Sequence, residues 1–163
     1  KGSVSEYFQL LRRDLTGSLP APQWPADMQL DHYHEHLAPA IHAVLRMSQA
    51  QGGGRVPNLE TWQRQFTTDA EFDPSLCLVV SHADGILGVA QCWTSAFIRD
   101  LVVHPRARHQ GIGLNLLSHV FEIFRQRKEA WVDLKVMENN FSARCLYEKA
   151  GMRYVQRLEI DPR

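Results

Sequence analysis

The residues best suited to chemistry are Arg108-His109-Gln110-Gly111-Ile112-Gly113, a basic, glycine-punctuated stretch between an apolar run and a long amphipathic one. Glycine lets a backbone turn tightly and approach a bulky anion. The first amides of a helix have no intrahelical partner, and the helix dipole adds partial positive charge to them. A strand, a glycine turn and a helix start therefore make a cradle for a pyrophosphate, with Arg106, Arg108 and His109 as nearby donors. Other phosphate motifs fit poorly: no Gly-Lys-Ser/Thr closes the turn, and Leu116 stands where a dinucleotide fingerprint needs its third glycine. Taken by itself, the turn serves equally well as a tight structural connection.

Asn140 and Tyr147 lie seven residues apart on a predicted helix. That spacing puts them on one face, two turns apart. Ala143, between them on the same face, leaves room for a ligand chain. As an isolated pair they read more simply as a helix cap and a tyrosine at a helix–sheet boundary.

The elements that must position these residues follow from periodicity and breakers. Val4, Phe8, Leu11 and Leu15 recur at spacings of three and four and predict an amphipathic helix over residues 4–15. Pro20, Pro22 and Pro25 then predict a stiff, extended linker. Residues 1–25 are thus expected to be an appendage that docks on the domain or, in a homodimer, on a second copy. Residues 26–163 form the main domain. Its expected order is a strand at 28–33, helices at 36–51 and 58–70 separated by the Gly52–Gly54 break, and strands at 75–81, 86–94 and 97–103 with an Asp84-Gly85 hairpin turn. A helix at 111–127, a strand at 130–137, a helix at 139–151 and a last strand at 152–160 complete it. The class is mixed α/β.

Length and composition bound the function. A chain of 163 residues with 44% hydrophobic and 22% charged residues fits one globular domain. Eighteen basic residues balance eighteen acidic ones, which argues against nucleic acid or an anionic membrane as partner. Cys77, Cys92 and Cys145 lack CxxC spacing, so neither a zinc site nor a disulfide framework is expected. No apolar run of membrane-spanning length and no signal-peptide core occurs. A reducing cytoplasm is the expected compartment.

From Phe97 to Tyr154 the chain resembles the GNAT superfamily of N-acetyltransferases. Arg108 to Gly113 matches Arg/Gln-x-x-Gly-x-Gly/Ala, and Asn140 to Gly151 matches Asn-x-x-Ala-x-x-Leu-Tyr-Glu-Lys-x-Gly. The resemblance implies a strongly bent mixed sheet, splayed in the middle, with acetyl-CoA in the opening. It implies main-chain contacts from Leu101, Val102 and Val103 to the pantetheine and acetyl carbonyl. It assigns Arg108 and the amides of His109, Gln110, Gly111, Ile112, Gly113 and Leu114 to the pyrophosphate, and Asn140 to the pantetheine arm. An amine acceptor, small molecule or peptide, would attack the thioester directly through a tetrahedral intermediate. A strand amide such as that of Val103 would stabilise the oxyanion, and Tyr147 would protonate the leaving thiolate as general acid. No metal is required.

The base is not carried over. Lys135 and Phe97 stand where family members place a carboxylate; Asp100 is the nearest substitute and Glu138 a weaker one. His32, His34 and His36 invite a metal reading, but a chain leaving its strand near residue 34 would scatter them, so a surface or substrate-wall role is expected. Trp62 and Trp93 are expected in the core or the acceptor wall. Without a base, a CoA-binding sensor lacking turnover stays open beside the enzyme, as does a structural subunit.

Overall fold

The computed structural model describes residues 6–50 and 55–160; Gly52–Gly54 lie outside that range. Strands β1 (Tyr7–Asp14), β2 (Gln29–His32), β3 (Cys77–His82), β4 (Gly85–Trp93), β5 (Phe97–Val103), β6 (Trp131–Met137) and β7 (Arg153–Glu159) form one sheet in the order β2-β3-β4-β5-β6-β1-β7. Helices α1 (Ala38–Ala50) and α2 (Leu59–Thr67) belong to the apolar cluster on one face. Helices α3 (Ile112–Gln126) and α4 (Phe141–Lys149) belong to the larger cluster on the other. Element types after residue 26 agree with the sequence expectations, with ends shifted by at most three residues.

The N-terminal helix is a correction. Residues 7–14 are a strand that pairs antiparallel with β6 on one side and with β7 on the other. Spacings of three and four over so short a run do not separate helix from strand, and an isolated helix of this length is marginal in water. Two flanking strands offer partners to backbone groups on both edges, and that pairing prevails. Leu11, opposite Leu134, joins the core beneath α3. The following proline segment forms neither helix nor strand: Leu19 and Trp24 pack on the core, and Gln23 exchanges two hydrogen bonds with Asn115 of α3.

Among the described residues β5 and β6 are the single parallel pair, and they are paired only at Phe97–Asp133 and Ile98–Leu134. Beyond those residues β5 keeps its ladder with β4, while its other edge, from Arg99 to Val103, has no strand beside it. The sheet opens here, between its fourth and fifth strands in spatial order. Close approach of α3 to β4 depends on Gly88, where a Cβ would sit 3.0 Å from Ile112 and 3.1 Å from Leu116.

Candidate active site at the sheet opening

The glycine turn lies at the mouth of the opening. Gly111 caps α3 with φ 79°, and His109 also has φ 63°. Left-handed backbone at two positions of three folds the loop tightly, and glycine relieves the strain at one of them. Gly113 is buried between Val103 at the end of β5 and Leu146 of α4; a Cβ there would lie 3.0 Å from the Leu146 side chain and 3.6 Å from that of Val103. The start of α3 therefore packs beside the end of β5. Arg108, His109 and Gln110 are exposed around the turn, whereas Ile112 is committed to the core. Arg106 is tied back to His104 and to the Asp84 carbonyl.

Asn140 and Tyr147 stand at the start and in the last turn of α4. Asn140 is the N-cap, its side-chain oxygen accepting from the Ala143 amide at 3.2 Å, so the capping reading holds and the side-chain NH2 stays available. Tyr147 is buried. Burial first, and the nearby Asp100 charge second, push its phenol up to about 12 rather than the ordinary 10. It keeps its proton at neutral pH and presents it as a donor.

Asp100, the candidate base, is half-buried, its side chain 31% exposed. Burial raises its carboxyl, opposed by the Arg99 guanidinium at 2.9 Å. Its charge adds to the burial that raises the Tyr147 phenol and the Cys77 and Cys92 thiols. Glu138 is committed elsewhere, in a two-point pair with Arg157 at 2.8 Å. Lys135 is exposed.

One residue escaped sequence reasoning. Gln91 of β4 stands directly opposite Asp100 on one side and Cys77 on the other. It is fully buried, yet neither its amide nitrogen nor its oxygen has a hydrogen-bond partner. Such a group costs on the order of 1–3 kcal/mol, so a buried, unpartnered glutamine beside a carboxyl suggests a place for a polar guest. The only sequence signal was a glutamine interrupting the apolar run ILGVAQCW.

The tryptophans belong to packing. Trp62 is buried and stacks on Phe66 at 5.4 Å, and Trp93 meets Phe66 at 5.6 Å. Cys77 and Cys92 are buried free thiols and Cys145 is exposed. Among the described residues no helix is long and apolar enough to cross a membrane. The histidines are not scattered: extended backbone continues through His34 (φ −132°, ψ 148°), and the rings of His32 and His34 lie 4.5 Å apart.

Comparison with known proteins agrees with this geometry. Residues 40–152 match the sequence model of the acetyltransferase (GNAT) family. A mycothiol acetyltransferase from Beutenbergia cavernae is 33% identical over 130 residues, covering 72% of this chain and 40% of that protein. One from Sanguibacter keddieii is 37% identical over 89 residues, 53% of this chain and 27% of that protein. The chain thus spans less than half the length of these relatives. The crystal structure of a GCN5-related N-acetyltransferase from Sphaerobacter thermophilus superposes with a TM-score of 0.81 at 24% identity, over 95% of this chain and 50% of that one.

Proposed function

The chain belongs to the GNAT acetyltransferase family, and from that premise we propose that it is an N-acetyltransferase moving an acetyl group from acetyl-CoA to a primary amine. The observation that carries this reading is the β5 edge left unpaired beyond Ile98, with the start of α3 packed beside Val103 at its end and the buried phenol of Tyr147 feeling the Asp100 charge. The cradle fits a pyrophosphate, because Gly111 has nothing within 4 Å of where a Cβ would be. The β5 edge fits an amide-bearing arm, which can add its own hydrogen bonds to unpaired main chain. Arg108 and the amides from His109 to Leu114 hold the phosphates, and Leu101, Val102, Val103 and the Asn140 NH2 hold the arm.

The bound donor supplies an activated thioester carbonyl. The residues of the chain do the rest. Asp100 takes the proton of the attacking amine, its affinity for that proton enhanced by burial. The Val103 amide donates to the oxygen on which negative charge develops. Tyr147 donates to the departing sulfur. With the phenol at about 12 and a thiol near its ordinary ~8.5, the proton is shared rather than surrendered, and stabilisation comes from the hydrogen bond itself. Gln91, opposite Asp100, offers both a donor and an acceptor to a polar group on the acceptor. The name of the two relatives, mycothiol acetyltransferase, favours a small-molecule acceptor over a protein one. Three free thiols fit a reducing, cytoplasmic setting.

Isothermal titration with acetyl-CoA tests the cradle. Wild type binds; Gly111→Trp abolishes binding by filling the turn, while Gly111→Ala, equally left-handed but small, retains most of it. Tyr147→Phe leaves affinity unchanged and lowers turnover, followed by thiol release over an amine panel, by roughly 10²-fold. A wild type without affinity for acetyl-CoA sinks the enzyme reading, and binding without turnover on any amine leaves a sensor.

A further inference from the structure

The segment Asp31-His32-Tyr33-His34 is built like a metal site. Tyr33 is its anchor: the side chain is buried, its N–H donates to the Cys77 carbonyl at 2.9 Å, and its hydroxyl accepts from Gln63 at 3.2 Å. Residues one before and one after a position on extended chain point to the same side. With Tyr33 fixed inward, His32 and His34 are both turned outward. Asp31 joins them: its Oδ1 accepts the His32 backbone N–H at 2.7 Å and lies 3.2 Å from His34 Nε2. One ligand atom from each of the three falls within 4.8 Å of the others. Donors on one zinc ion at ~2.0–2.2 Å would be about 3.3 Å apart, a difference within reach of small side-chain rotations.

A second observation concerns the imidazole of His32. Its Nδ1 lies 3.1 Å from the Tyr33 carbonyl. A carbonyl can only accept, so Nδ1 carries the hydrogen and the Nε2 lone pair is left free. A ligating histidine is held in this way, its other nitrogen donating to a carbonyl behind it. We propose that Asp31, His32 and His34 bind a borderline divalent transition-metal ion, zinc or nickel, at the exposed edge of β2. Two imidazoles and one carboxylate suit those ions and not magnesium or calcium, which take oxygen ligands. Three protein ligands leave a position for water or for His36, whose ring stacks on that of His34 at 5.4 Å. The ion would also stiffen the wall of an open cavity of about 380 Å³, because Tyr33 and Glu35 line it opposite Glu60, Gln63, Arg64 and Thr67.

The test uses the 163-residue chain without an affinity tag. Zinc chloride is titrated calorimetrically, and cobalt chloride is followed by its visible absorption. Wild type takes up one equivalent, and the melting temperature rises with zinc. The His32→Ala, His34→Ala double variant binds at least 100-fold more weakly and its melting temperature no longer responds. Cys145→Ser, which removes the exposed thiol, binds as wild type does. Both histidines are outside the core, so circular dichroism should show the double variant folded. Wild-type binding unchanged by the double substitution overturns the proposal, as does failure of wild type to bind at millimolar zinc or equal binding of magnesium.

Discussion

The sheet has two flanks on either side of its opening, and they are stabilised differently. In the flank β2-β3-β4-β5, the inner strands β3 and β4 are apolar on both faces. Leu78, Val80 and Ala90 point to the cluster shared with α3, while Cys77, Val79 and Val89 point to the one shared with α1 and α2. In the flank β6-β1-β7 only one face is apolar: Val132, Leu134, Val136 and Leu11 meet α3. Its other face is held by charge and rings, with Arg12 paired to Asp133 and stacked 4.2 Å over Trp131. At its outer edge Tyr154 and Val155 are exposed. Helix α3 touches β4, β5 and β6, so it is the common floor. The opening exists because two differently clad flanks share a floor and are joined by only two residue pairs.

The largest effect should come from the junction itself. Leu134 is 2% exposed and faces both Ile98 and Leu11 across its neighbouring strands. Leu134→Ala removes core volume where the flanks are joined and should cost about 2–5 kcal/mol. Val155→Ala, on a strand residue 41% exposed, should stay within about 0.5 kcal/mol. Urea denaturation measures both. Equal losses at the two positions would mean that the second flank is not one-sided in energy, whatever its geometry.

The same contrast explains what could be read from sequence. The glycine turn, Asn140 and Tyr147 were legible because backbone needs restrict residue type: a left-handed cap wants Gly111, close helix contact wants Gly113, and a helix start wants Asn140. β1 was not, because its apolar spacing suits either structure and its true partners, β6 and β7, lie more than a hundred residues away. Asp100 was named from sequence as a candidate base, but its raised affinity for protons arises from burial, which no local pattern encodes. Gln91 matters through what stands opposite it in the ladder. The closeness of the His32 and His34 rings was not legible because the anchor between them, Tyr33, is fixed by bonds to residues 63 and 77.

Next in size are effects at the centre of the opening. Asp100→Asn should lower turnover by about 10²-fold and remove the acidic limb of the rate profile. Its effect on stability has the opposite sign. A carboxyl raised by burial binds its proton more tightly folded than unfolded, so stability falls as pH climbs from its ordinary ~3.9 through the raised value, and stays lower above it. Asparagine has no such proton. The variant should therefore melt higher than wild type at neutral pH and lose that advantage below about pH 4. A smaller gain, about 1 kcal/mol, should follow Gln91→Met, which removes an unpartnered amide at similar volume. If the glutamine holds the acceptor, KM for the amine rises while that for acetyl-CoA does not.

The smallest expected effect examines the charged face of the second flank. Arg12 Nε and Nη2 donate to the two oxygens of Asp133 at 2.7 and 2.9 Å, a geometry lysine cannot reproduce. The side chains are 33% and 17% exposed, so water screens the pair only in part. A double-mutant cycle on Arg12→Ala and Asp133→Ala should give a coupling of about 0.5–1 kcal/mol, with part of it persisting in 1 M salt, where exposed pairs are screened beyond ~3 Å. Arg12→Lys should lose most of the coupling, because both the fork and the stacking on Trp131 go with the guanidinium. A coupling of zero would leave that face without energetic weight, and the second flank would then stand on its α3 contacts and backbone ladder alone.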